Sequence, residues 1–232
     1  MMDFKSFGSG SSGNMYTLSD GTTKIMIEAG LPIKRIKQAL NFRISEIEGL
    51  LLSHIHGDHS KSIKDMVKLG VNCHMPPATA EGLKIDNHRI KPVESDKSFK
   101  IGTLMVYPFK AEHDVEAYGY LILNENQERL LFLTDSYYCR YKFKGLTHIA
   151  IEANYSLDIL NQNIAEGITP RVMKKRLINA HMSLETLLDF LKANDLSKVE
   201  EIWLLHLSDT NSNEELFKRE VQEITGRVVF IA

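Results

Sequence analysis

The chain has 232 residues, with 28 Lys and Arg against 30 Asp and Glu for a formal net charge of -2. Hydrophobic residues at 43% and charged residues at 25% match an ordinary folded protein and exclude a disordered or collagen-like chain. Near-neutral charge gives no global pull toward DNA, RNA or anionic lipid, so any polyanion has to be held by local basic patches. No apolar stretch approaches the roughly 20 residues of a membrane span, and the N-terminal MMDFKSFGSGSSGN lacks the apolar core of a signal peptide. Cys73 and Cys139 stand far apart and offer neither a CxxC pair nor a disulfide framework. These features predict a cytoplasmic protein without a membrane partner, built as one α/β domain over 1–232.

In chain order, Tyr16 to Leu18 and Lys24 to Ile27 flank the turn residues Ser19-Asp20-Gly21, which predicts two antiparallel strands. Pro32 opens a helical stretch toward Leu40, with Ile33, Ile36 and Leu40 on one face. A strand follows at Leu50 to Ser53, then a helical pattern from Ser60 to Leu69. Leu104 to Phe109, Tyr118 to Leu123 and Leu130 to Leu133 read as strands, as does His148 to Ile151. After Glu152 helices return, clearest at Ser183 to Leu191, where Ser183 can cap and Leu184, Leu187, Leu188 and Leu191 form a stripe. Glu201 to Leu205 and Val228 to Ile231 are strands around a polar helix near Glu214 to Glu223.

The chemistry concentrates in Ser53-His54-Ile55-His56-Gly57-Asp58-His59, directly after the apolar Leu50-Leu51-Leu52. A loop leaving a strand end can bring imidazoles and a carboxylate to one point, and His with Asp suits zinc or manganese. Gly57 is expected to supply the tight backbone turn that this crowding needs. His113, Asp135 and His206 each lie at or just beyond a predicted strand end, where a shared rim of ligands can form. His181 instead precedes a capped helix. It can serve as a general acid, help to cap that helix, or act as a metal ligand in place of His206. His74, His88 and His148 have no ligand companions nearby and read as structural, and both cysteines read as small core hydrophobes.

The HxHxDH pattern of His54, His56, Asp58 and His59 resembles the signature of the metallo-β-lactamase superfamily. SGSSGN at Ser9 to Asn14, Leu133-Thr134-Asp135-Ser136, Glu152-Ala153-Asn154, AHMS at Ala180 to Ser183 and LHLS at Leu205 to Ser208 look like its YycJ/WalJ branch, which is similar to tRNase Z and phosphodiesterases and associated with DNA exonuclease activity. The resemblance implies a four-layer αββα sandwich and two divalent metal ions, Zn or Mn. One would be held by His54, His56 and His113, the other by Asp58, His59 and His206, with Asp135 bridging. It also implies catalytic roles for Asp58, for His181 as proton donor to the leaving oxygen, and for Glu152 in orienting His181.

Two basic runs bear on substrate. Arg171, Lys174, Lys175 and Arg176 precede His181, and Tyr137 to Lys144 interleaves aromatics with Arg140, Lys142 and Lys144. Cations hold phosphates and aromatic faces stack bases, although solvated charge explains such runs equally well. The Gly8 to Asn14 loop can present backbone N–H groups to a phosphate. The candidate substrate contacts are therefore Ser12, Asn14, Asn154, Arg140, Lys142, Lys174, Lys175 and Arg176. Glu28 and Tyr155 stand where related chains commonly carry Asp and His, departures that bear on support of the metal loop and on the pocket. The expected function is hydrolysis of phosphodiesters in nucleic acid, DNA before RNA, as an exonuclease. The alternatives are a small-molecule phosphodiesterase or thioester hydrolase on the same fold, and a metal-stabilised nucleic-acid-binding module without turnover.

Overall fold

At the Ser19-Asp20-Gly21 turn, Oδ1 of Asp20 accepts from the N–H groups of Thr22 and Thr23 at 2.9 and 2.8 Å, closing the tight connection that the residues predict. A computed structural model describes residues 1–232, which divide into two compact units: Met1–Lys110 with Val115–Glu128, and Ala111–Asp114 with Arg129–Ala232. No helix is long and apolar enough to cross a membrane.

The first unit opens with β1 (Asp3–Gly8), β2 (Met15–Ser19) and β3 (Lys24–Ile27), followed by α1 (Ile33–Ala39) and β4 (Gly49–Leu51). Next come α2 (Gly57–Ser60), α3 (Ile63–Lys68), β5 (Cys73–Met75), α4 (Pro77–Leu83) and β6 (Ile90–Pro92). β1, β2 and β3 pair antiparallel, while β3 to β6 run parallel, giving a six-stranded mixed sheet in sequence order. The parallel register sets Ile27 beside Leu51, so the chain leaves β3 and β4 side by side at their carboxyl ends. That end of a parallel sheet is where α/β proteins build sites. Antiparallel β7 (Phe99–Ile101), β8 (Leu104–Lys110) and β9 (Tyr118–Leu123) complete the unit. The Tyr120 hydroxyl donates to Leu52 O at 2.7 Å and the Tyr118 N–H to Ser53 O at 3.0 Å, which ties β9 to the chain leaving β4.

In the second unit, β10 (Arg129–Leu133), β11 (His148–Glu152), β12 (Glu201–Leu205) and β13 (Val228–Ile231) are parallel, in the order β13-β12-β11-β10. β10 and β11 are almost wholly buried, as the apolar runs of internal parallel strands require. Helices α5 (Leu157–Ala165), α6 (Arg171–Ala180), α7 (Leu184–Lys192) and α8 (Glu214–Thr225) connect and flank them. Ser183 caps α7 by accepting from Thr186 N, so His181 has no capping task; it is instead the extended residue that ends α6.

Several local expectations change. The helical pattern of Ser60 to Leu69 is broken, because Ser62 gives its N–H to Ala29 O and its hydroxyl to Leu31 O instead of continuing the helix. On α7 the buried stripe is Leu184, Leu187, Phe190 and Leu191, with Leu188 only partly covered. The three-residue β5 and β6 carry too few residues for a legible period, and the six-residue β1 has a register shift between Ser6 and Gly8 that interrupts its alternation. Both cysteines are buried and unpaired; burial pushes the thiols up to about 12 for Cys73 and about 11 for Cys139.

Candidate metal centre

In the first unit the chain leaves β4 at Leu52 and turns through His54 to His59 into α2. His54 and His59 are fully buried, while His56 and Asp58 are partly exposed. Nε2 of His54 lies 3.0 Å from Nδ1 of His56, the His54 and His59 rings are 4.3 Å apart, and Nε2 of His59 is 3.5 Å from Oδ2 of Asp58. Ser53 Oγ lies 2.8 Å from Nδ1 of His54 and so orients the ring through its far nitrogen, the arrangement that fixes a ligand imidazole.

A backbone lattice holds this loop. Asn14 N donates to Asp58 O at 2.8 Å, Ala29 N to His59 O at 2.7 Å and Gly30 N to Asn14 O at 2.9 Å. Glu28, fully buried just past β3 with φ 63°, accepts from Ser53 N at 3.2 Å and places Oε2 3.4 Å from Nδ1 of His59. The longer carboxylate at this position thus still reaches the loop. The glycine that crowding demands is Gly30, where a Cβ would stand 1.6 Å from Asp58 O. Gly57 is a correction to the sequence reading: it has no positive φ, and its Cβ would meet open space. Of the candidate substrate contacts in this unit, Ser12 is exposed in the β1–β2 loop. Asn14 is buried, bonding Gly10, Asp58 O and His59 Nε2, the last at 3.1 Å.

In the second unit the parallel register aligns Leu133 with Ile151, and Glu152 with Leu205, so Asp135, Glu152 and His206 emerge together at the carboxyl ends of β10, β11 and β12. Asp135 and His206 hold left-handed backbone, at φ 47° and 54°, a conformation uncommon for side chains of this kind and concentrated at functional sites. The two oxygens of Asp135 face different imidazoles: Oδ1 is 3.4 Å from Nδ1 of His206, and Oδ2 is 3.9 Å from Nε2 of His113. Thr134 donates its hydroxyl to Oδ1 at 2.9 Å, and Ala180 O lies 3.1 Å from Nδ1 of His113.

Glu152 is the hub. Its Oε2 accepts from the N–H groups of Ser136 at 3.0 Å and Met182 at 3.1 Å, while Oε1 lies 2.7 Å from Nδ1 of His181 and 3.1 Å from Nδ1 of His206. Burial works to raise this carboxyl, but the adjacent His181 charge and the hydrogen bonds from both imidazoles outweigh it and hold it below the usual carboxylate range. Conversely, burial works to lower His181, and the Glu152 charge and hydrogen bond win and raise it. Asp135, Glu152, His181 and His206 each offer a ligand atom within 4.8 Å of the others. Asn154 donates to His206 O at 2.7 Å, supporting that residue's strained backbone.

Each unit therefore carries a His/Asp cluster of the donor chemistry that holds divalent ions, and the converging imidazole nitrogens and buried carboxylates fit such ions. Of the basic residues, Arg140 is held by Glu112, whose N–H bonds Ser136 Oγ. Lys142, Lys175 and Arg176 are exposed, and Lys174 donates to Asn161 Oδ1 at 2.6 Å. Sequence reasoning passed over Glu112, Asp114 at 3.1 Å from Nε2 of His113, and Gly30. Asp114 was signalled by adjacency to His113, whereas nothing local marks Glu112 or Gly30.

Residues 23–206 match the family model described as a beta-lactamase superfamily domain. The chain is 26% identical over 225 residues to the exodeoxyribonuclease WalJ of Streptococcus pneumoniae serotype 2 (strain D39 / NCTC 7466), covering 90% of this chain and 82% of that one. It is 26% identical over 242 aligned positions to the exodeoxyribonuclease YycJ of Bacillus anthracis, covering 96% and 89%. Among solved structures, the metallo-beta-lactamase fold protein YhfI from Bacillus subtilis superposes with a TM-score of 0.76 at 16% identity, covering 100% of this chain and 95% of that one. The fold is accordingly the expected one, α/β with two mixed sheets and helices.

Proposed function

We propose that this chain, which belongs to the metallo-β-lactamase superfamily, is a metal-dependent phosphodiester hydrolase that acts on DNA as an exonuclease. The observation that carries the reading is Asp135, whose two oxygens are each turned to a different histidine, as a carboxylate shared between two cations would be. The two units act as one domain over 1–232 in this reading. His54, His56 and His113 would hold one ion and Asp58, His59 and His206 the other, with Asp135 the carboxylate that would be offered to both. His206 is preferred to His181 as ligand because it is buried against Asp135, whereas the His181 side chain is 18% exposed.

Two bound divalent ions, Zn or Mn, would supply Lewis acidity and an activated water at neutral pH. The protein's own residues supply the rest. His181 directs Nδ1 at Glu152, which leaves Nε2 to carry a proton outward. The Glu152 carboxylate raises His181 and so favours the imidazolium, the form that can give a proton to the departing alkoxide, otherwise a poor leaving group. The DNA assignment is supported by the distant WalJ and YycJ relatives and by a cavity of about 390 Å³ lined in part by Tyr138, Tyr141, Lys142 and Phe190, aromatic and cationic groups suited to nucleotides. Arg140, Lys142, Lys174, Lys175 and Arg176, with Ser12, Asn14 and Asn154, are the proposed substrate contacts. The test is digestion of linear single- and double-stranded DNA with Mn²⁺, Zn²⁺ or chelator, beside elemental analysis of the reconstituted protein. Metal-dependent cleavage from an end with close to two metals per chain is expected. Absence of cleavage of any DNA, or a ceiling of one metal, overturns the reading.

A further inference from the structure

Outside the residues considered so far, α3 and the segment after α4 enclose a cavity of about 540 Å³ in the first unit. Its apolar lining comes from Val67, Leu83 and Ile85, and four lysines stand around it: Lys61, Lys64, Lys68 and Lys84. All four are exposed, none forms an ion pair, and Asp86 is the one carboxylate on the lining. Lys84 is itself the left-handed residue that ends α4, with φ 52° and ψ 41°.

We propose that this cleft is a phosphate-binding groove for a DNA strand, lying on the first unit beyond the His54–His59 loop. The inference rests on the nuclease reading for its choice of polyanion. Three observations argue for it. First, Lys64 and Lys68 stand four residues apart on α3, where like charges oppose each other, and Lys61 at the end of α2 joins them across the Ser62 break, against the single acidic residue of α3, Asp65. Second, the charge is spread over several elements around the cleft: Lys64 and Lys68 are separated by about 6 Å of helix rise on α3, Lys61 comes from the end of α2 and Lys84 from the end of α4. A small anion uses one or two such groups, whereas a chain of phosphates matches the whole set. Third, the apolar lining gives the lysine stems a surface to lie on while the ammonium heads reach solvent, which positions the heads at low entropic cost. Ser60 belongs to the same lining and directly follows His59, so the groove begins where the ligand loop ends.

The test measures binding of a labelled, cleavage-resistant phosphorothioate oligodeoxynucleotide to the metal-loaded full chain across a salt titration. Wild type is compared with Lys61→Gln/Lys64→Gln/Lys68→Gln/Lys84→Gln and with the matching Lys→Arg variant. The Gln variant is expected to bind at least about tenfold more weakly at low salt. Its log-log salt slope should be shallower by about 2 to 3, from roughly 0.7 per phosphate neutralised on a single strand. The Arg variant should bind like wild type, and hydrolysis of a nitrophenyl phosphodiester should be unchanged in both. Lysine acetylation of wild type, read by mass spectrometry, should show these four protected by the oligonucleotide while Lys34 is not, and this measurement stands even if the Gln variant folds poorly. Equal affinity and slope in wild type and Gln variant, or no protection, overturns the groove and leaves the nuclease reading intact if DNA is still cleaved. Lysine-dependent binding without any cleavage overturns the nuclease reading and leaves the groove. Failure of wild type to bind the oligonucleotide at low salt overturns the groove outright.

Discussion

Oε1 of Glu152 lies 2.7 Å from Nδ1 of His181 and 3.1 Å from Nδ1 of His206, so one fully buried carboxylate orients both the proposed proton donor and a proposed metal ligand. The two histidines nevertheless differ in exposure, and that difference separates their expected behaviour.

His181→Ala should retain metal and lose roughly 10²- to 10⁴-fold in turnover on DNA, the usual size of a general acid's contribution. The loss should nearly vanish for a nitrophenyl phosphodiester, whose leaving group needs no proton. Asp135→Asn should lower metal content and activity together. Metal analysis beside kinetics on both substrates checks the pair; loss of metal from His181→Ala but not from His206→Ala exchanges their roles.

Gly30→Ala puts a Cβ 1.6 Å from Asp58 O, so the loop carrying His54 to His59 has to move. The expected destabilisation is more than about 4 kcal/mol, among the largest for a single substitution, with metal content reduced. Gly57→Ala in the same loop meets open space at ordinary φ. It should change stability by less than about 1 kcal/mol, in the stabilising direction. Denaturant melts of the two variants should therefore differ widely, and similar melts would count against the role given to Gly30.

On α6, Lys174→Ala/Lys175→Ala/Arg176→Ala should weaken DNA binding and flatten its salt dependence by up to about 2 in slope. Lys174 contributes least because it already donates to Asn161. Unchanged kinetics on DNA across a salt titration would remove α6 from the substrate path.

His74 is packed against the Phe99 ring, with centroids 4.8 Å apart, and burial first and the Lys91 charge second lower it from 6.5 to about 4. Its neutral form is favoured in the fold, so its contribution is complete above pH 6.5 and is lost as pH falls from there toward 4. The size is about 2 to 3 kcal/mol once partial exposure is allowed for. His74→Phe should flatten the stability profile across that window; chemical denaturation at pH 7 and 4.5 reads the difference.

The proposed ligands His54, Asp135 and His206 were legible as candidates because each sits just beyond a strand end, and strands announce themselves by local apolar runs: Leu50 to Leu52, Leu130 to Leu133, and Ile202 to Leu205. The α7 helix was legible through its cap at Ser183, again a feature confined to a few neighbouring residues. What the tertiary structure decided were relations between distant segments. The clash that requires glycine at position 30 comes from Asp58, and the partner that holds Arg140 is Glu112. The lysine set gains Lys84 only when the end of α4 is brought beside α3. Spacing along a chain records its own helical or strand period, but a steric limit or a charge pairing belongs to two segments at once. It exists only after packing has put them together.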